Sequence, residues 1–187
     1  MRPASLRSAV LAAIAVLGTG CGSSTGFMGV SSPMTTEDEA RFDNGVEVVG
    51  DLEGLAGHWR DSWNEEMDER IGRADLIAVI AIQTLHHDTD LERRSSYRIV
   101  AHVEERLRGE GHGELHLSSR EDDPGFPSLR DTEARMVGQR FVAFIKWAQP
   151  EGEDGPILAR WHLAPDTESV RSWISGRIAE QAARAEQ

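Results

Sequence analysis

The sequence predicts a mainly β domain of the α+β class, a small barrel of five strands with one helix before it and one after. Three observations carry that expectation. Leu76 to Ile82 is an unbroken apolar run of strand length. A turn rich in His, Asp and Thr joins it to a second run, in which Tyr97, Ile99, Ala101, Val103 and Leu107 fall on one face and Arg98, His102, Glu104 and Arg106 on the other, as a period of two requires. Three more short apolar or alternating stretches follow, with a short helical segment between the first of them and the other two.

The beginning of the chain reads as delivery. Residues 1–20 carry Arg2 and Arg7, an apolar run from Ala9 to Leu17 and then small residues, the layout of a cleaved secretory signal peptide. The run is too short to cross a bilayer, which takes about 20 residues in helix. Cys21, the sole cysteine, stands at the cleavage point and has no partner for an internal disulfide. Leu17-Gly18-Thr19-Gly20-Cys21-Gly22 resembles the lipobox of bacterial lipoproteins, with a departure at Gly18, where that family carries an aliphatic residue. The resemblance implies that Cys21 becomes the lipid-modified mature N-terminus, bearing palmitate-type acyl chains, and Gly22 after it resembles lipoproteins sorted to the outer membrane. Residues 21–40 then read as the lipidated Cys and a flexible Gly/Ser/Thr/Pro tether, and residues 41–187 as one domain.

Composition narrows the partners. Loss of Arg2 and Arg7 with the leader leaves 18 basic residues against 32 acidic, a formal charge of −14. A phosphate backbone rewards a basic stripe, and the chain has none, so no nucleic-acid partner is expected. The expected partners are the membrane, through the lipid, and a protein or glycan of the envelope.

Within the domain, Asp51 to Ile71 predicts a helix capped by Asp51 and stopped by Gly72, with Leu55, Trp59, Trp63, Met67 and Ile71 on its apolar stripe. The hairpin supplies the first two strands. His112 to Ser118 predicts a third, Leu115 and Leu117 facing inward and His112, Glu114 and His116 outward. Arg120 to Arg130 is a loop around Asp123-Pro124-Gly125-Phe126-Pro127, and Asp131 caps a short helix ended by Gly138. Phe141 to Trp147 and Ile157 to Leu163 are the last two strands, and a helix capped by Asp166 follows, with Val170, Trp173, Ile174 and Ile178 as its stripe. Three strands, a short helix and two strands is the element order of the OB-fold, a five-stranded Greek-key barrel.

Ala74-Asp75-Leu76-Ile77-Ala78-Val79, Val103-Glu104-Glu105-Arg106-Leu107-Arg108-Gly109 and Gly138-Gln139-Arg140-Phe141-Val142-Ala143-Phe144 resemble the strand signatures of netrin-module domains, the OB-folds of the tissue inhibitors of metalloproteinases. The likeness spans residues 71–163 and implies an OB-like barrel. Those inhibitors depend on disulfides and on a free N-terminal Cys that meets the protease metal. The domain here has no Cys, so their inhibitory chemistry passes to no residue of this chain.

Two function classes follow. One is a membrane-anchored envelope lipoprotein whose barrel is a non-enzymatic binding or inhibitor-like module, with no cofactor. The other is a metal-dependent enzyme using His112, Glu114 and His116, since two imidazoles and a carboxylate on one strand face are ligands that zinc or ferrous iron accepts. His102 would join them if its outward face neighbours His116. No Gly-x-Ser-x-Gly elbow is present, and a lipidated Cys21 leaves no thiol nucleophile. For Phe126 two expectations stand side by side: exposed at the turn of the long loop for binding, or plugging the end of the barrel. The face assignment has a direct test: Ile99→Asp should cost several kcal/mol in denaturant unfolding, about 3 or more, and Arg98→Asp beside it little.

Overall fold

A computed structural model describes residues 34–148 and 157–187; the predicted leader, Cys21 and the acidic loop between the last two strands lie outside the described residues. In chain order the elements are α1 (Thr36–Arg41), β1 (Gly45–Val46), α2 (His58–Arg73), β2 (Leu76–Thr89), β3 (Ser95–Arg108), β4 (Glu114–Arg120), α3 (Phe126–Thr132), a 3-10 turn at Glu133–Arg135, β5 (Arg140–Ala148), β6 (Leu158–Pro165) and α4 (Glu168–Ala185). The protein is α+β and strand-rich, with six strands in one sheet ordered β1-β6-β5-β2-β3-β4. Among the described residues its ladder does not close. There, instead of the expected five strands there are six, because Gly45–Val46 pairs in parallel with His162 and Leu163. Two residues carry no periodicity from which a strand could be read.

Strands β2 and β5 form the centre of the sheet and are covered on both faces, which is why Leu76–Ile82 is continuous rather than alternating. Leu76, Ala78, Ile80 and Ile82 pack inside the curl of the sheet with Ile99, Leu117, Phe141, Ile145 and Trp161. Ile77, Val142, Phe144 and Ala164 face the other way, onto Met67 and Ile71 of α2 and Val170 and Ile174 of α4. Near the open side of the curl, the Trp161 indole N–H donates to the Ser118 carbonyl at 3.0 Å, linking β6 to β4 by a side chain.

The hairpin of β2 and β3 is longer than expected, running to Thr89 and resuming at Ser95, so His86 and His87 are strand residues and the turn is Asp90–Arg94. Asp90 shapes that turn by accepting the N–H groups of Glu92 and Arg94, and Arg93 takes the left-handed conformation at φ 65°. Irregularities in the pairing leave Gln83, Glu104 and Leu107 without Cα partners. Such bulges bend and twist a strand, and Leu107 packs with the α2/α4 cluster rather than beside Val103.

Helix boundaries moved wherever a local turn competed. Helix α2 starts at His58 after Gly57 at φ 55°, because Asp51 uses its carboxylate on the Glu53 N–H, 2.9 Å away, in a tight turn instead of a cap. Trp59 consequently lies off the buried stripe, 67 % exposed and against His58. Thr167, not Asp166, caps α4. Asp166 instead receives Arg171 at 2.5 Å and Arg140 at 3.2 Å, fixing the start of α4 to β5. The expected tether also ends early: Thr35 and Asp38 form a capping box for α1, and Arg73 reaches back to Asp38 at 3.2 Å. The folded domain therefore includes residues before the expected boundary at 41.

Gly109 ends the β3 arm at φ +80°, and a Cβ there would come within 2.0 Å of the Asp75 carbonyl oxygen. Gly109→Ala should destabilise by about 2 kcal/mol or more in urea unfolding, whereas Gly113→Ala, with open space around it, should be near neutral.

Candidate binding face

Helices α2 and α4 cover one face of β2, β5 and β6, but along β3 and β4 alternate residues point outward, where Arg98, His102, Glu114, His116 and Ser118 stay in solvent and Val100 is half-buried. Cross-strand pairing orders that face into rows. Thr84, Val100 and His116 stand side by side, as do His86, Arg98 and Ser118, with His102 opposite Glu114. Two contacts fix charges within it. Arg98 Nε donates to Asp88 at 2.8 Å, and His116 Nε2 lies 2.9 Å from Glu114 Oε1. A groove of about 490 Å³ runs over His86, Arg98, Val100, His116 and Ser118. A second, of about 640 Å³, lies at the end of the hairpin, lined by Asp90, Arg94, Ser95, Ser96, Arg120, Glu121 and Asp122. The guanidinium, imidazoles, hydroxyls and carboxylates of this face are held on a hydrogen-bonded ladder. It can therefore present donors and acceptors to a polar ligand at little ordering cost.

The sequence-derived site residues are distributed unevenly. Glu114 and His116 share the face, and His102 joins them through its pairing with Glu114. His112 does not, because β4 begins at Glu114 and His112 precedes it. Glu114 is already engaged by His116, and among the described residues no three His, Cys, Asp or Glu side chains are grouped to hold a metal ion. Consecutive strand residues point to opposite faces: His86 enters the groove, while His87 stacks on Tyr97 with ring centroids 4.7 Å apart. Phe126 is not an exposed turn aromatic. It is 5 % exposed, opens α3, and packs inside the curl 5.2 Å from the Tyr97 ring. Burial, together with Glu133 beside it, pushes the Tyr97 hydroxyl up to about 12. Cys21 lies outside the described residues.

One cluster had no signal in the sequence, because its members are far apart along the chain. His162 of β6 is 4 % exposed, and its Nδ1 lies 2.9 Å from Asp43 Oδ1. Arg70 of α2, also buried, donates from Nε to the Arg41 carbonyl at 2.9 Å. Burial, reinforced by the nearby Arg70 charge, holds His162 below the ordinary histidine value. For Asp43, burial is the largest influence and works upward, but the hydrogen bond and charge of His162, the Arg70 charge and the Gly45 N–H together outweigh it and keep the carboxyl below its usual range. Next to this pair, Asn44 at φ 58° accepts the Trp161 N–H at 3.1 Å.

No protein-family model matches the chain, and no curated protein matches it as a relative.

Since Phe126 is a core residue, Phe126→Ala should cost about 3 kcal/mol of unfolding free energy, read from denaturant titration. Ligand capture measured well below the melting temperature should persist.

Proposed function

We propose that this chain is a membrane-anchored envelope lipoprotein whose folded domain is a non-enzymatic binding module for a protein or glycan partner. The observation that carries the binding role is the outward face of β3, β4 and the far end of β2, a grooved surface carrying His86, Arg98, His102 and His116 and left uncovered where the rest of the sheet is sealed by helices. The anchoring role rests on the lipobox-like residues ending at Cys21, and no helix among the described residues is long and apolar enough to cross a membrane.

We read the sheet as an open, OB-like barrel related in plan to netrin modules. Support comes from the pairings β2 with β3 and β5, β3 with β4, and β5 with β6, and from the Trp161 to Ser118 link where β6 nears β4. In barrels of that plan the ligand face lies on the second and third strands, here β3 and β4, which agrees with the uncovered face. The outer membrane is the proposed address, from Gly22 after the Cys.

Anchoring and binding separate experimentally. Cys21→Ser should abolish lipid labelling and the acylated mature mass, because two or more chains hold a protein in a bilayer and one binds reversibly. A wild-type N-terminus elsewhere than Cys21 would overturn the anchor. On the binding face, Arg98→Glu with His116→Glu should leave the melting temperature within a few degrees, since both side chains are exposed. The double variant should nevertheless lower capture of a partner from detergent-solubilised envelopes about tenfold or more. Undiminished capture would move the site off this face.

A further inference from the structure

The segment Phe42–Glu47 lies along β6 and is held between it and α3, where the Val46 N–H donates to Ser128 Oγ at 2.8 Å and the Gly125 N–H to the Asp43 carbonyl at 2.8 Å. Asn44 N–H donates to the Trp161 carbonyl at 2.9 Å, and Glu47 N–H to the Leu163 carbonyl at 2.7 Å. Near its start, Asp43 meets His162. A carboxylate only accepts, so Nδ1 of His162 carries the hydrogen, and Nε2 is then a bare lone pair in the neutral ring. That Nε2 is buried and has no hydrogen-bond partner.

We propose that His162 is a proton-operated latch, holding the segment Phe42–Glu47 on β6 while neutral and loosening it when protonated at Nε2. The geometry makes the charged ring costly in two ways. A proton on Nε2 is a buried donor without an acceptor, and it adds a second cation beside buried Arg70, whose charge Asp43 already balances. The other charged groups around the pair are Glu47 after β1, Glu66 on α2 and Arg41 at the end of α1. Glu66 is half-buried and already bound to Arg70 at 3.4 Å, so it offers Nε2 little relief. The segment over the ring has a two-residue ladder, and lifting it admits water to the imidazolium. Fully buried Phe42, buried Val46 and the two bonds to α3 oppose that motion and set the resting equilibrium.

The direction with pH follows from linkage. The stability tied to neutral His162 is complete above its ordinary value of 6.5 and is lost as pH falls from there through the lower folded value. Asp43, held below 3.8, stays ionised through that window and does not supply the transition.

Amide hydrogen exchange on the full mature chain, corrected for intrinsic rates, reads the opening directly from about pH 7.5 to about pH 5. The opening constant of Asn44 and Glu47 should rise by up to about tenfold per pH unit below the ordinary histidine value. Val79 and Val142 in the sheet centre should keep their protection. His162→Asn, whose amide N–H can replace Nδ1–H on Asp43 but takes up no proton, should be flat. The wild-type ring nitrogen shifts of His162, followed by NMR, should titrate in step with the opening and decide the matter even if that variant folds poorly. A flat wild-type profile, equal loss in the segment and the sheet centre, or opening that does not track His162 protonation overturns the latch.

Discussion

The requirement that β2 and β5 be covered on both faces governs the rest of this structure. Each buried Ile, Leu or Val along them is worth about 2 kcal/mol only if something packs on it. One side is satisfied by curling the sheet, so that Ile80, Ile99 and Leu117 meet Trp161 across a common interior. The other side needs separate elements, and α2 and α4 supply them with Met67, Ile71, Val170 and Ile174.

Ion pairs set where those helices lie, more than how stable the domain is. Arg177 bridges to Asp68 across α4 and α2, Arg41 reaches Glu69, and Arg171 and Arg140 converge on the buried carboxylate of Asp166. Most of these cations are part-exposed, so each pair contributes on the order of 0.5 kcal/mol or less, small beside the apolar layer. Their geometry still matters: a guanidinium fork fixes direction as well as distance, and the same Asp166 that could have capped α4 instead decides where on the sheet α4 begins. The abundance of Arg, 19 residues against the single Lys146, thus has a use in the folded state whatever its origin.

Legibility in the sequence followed signal length. The alternation along β3 and β4 could be read to the inward residue as far as the bulges, and Ile99, Ala101, Leu115 and Leu117 are all buried, while Leu107 beyond a bulge turns to the helix side. Features decided by one or two residues could not. A two-residue β1, the choice of Asp51 for a turn over a cap, and the start of β4 at Glu114 depend on local hydrogen bonds that compete within about 1 kcal/mol. The last of these separated His112 from Glu114 and His116. The side Phe126 takes is undecided by sequence for a different reason: a Pro-Gly turn marks a chain reversal, but only the tertiary structure shows that the reversal points its aromatic inward, beside Tyr97. The His162 and Asp43 pair, formed across 119 positions, lies beyond any local pattern.

The two halves of the sheet are therefore under different constraints, and this separates stability from recognition. Over β5 and β6 both faces are committed, and a polar side chain survives there only with its partner, as His162 does with Asp43 and Lys146 with Asp75 at 3.2 Å. Over β3 and β4 one face is free. Arg98, His102 and His116 can change there without touching a core contact, while Ile99, Ala101 and Leu117 on the reverse keep their backbone in register. A surface with that freedom, fixed on a ladder rather than on a loop, keeps its geometry while its chemistry varies. The cost is that the face has no helix to shield it, and the alternation of charged and histidine side chains along β3 and β4 is what keeps it from offering an apolar sheet surface to other chains.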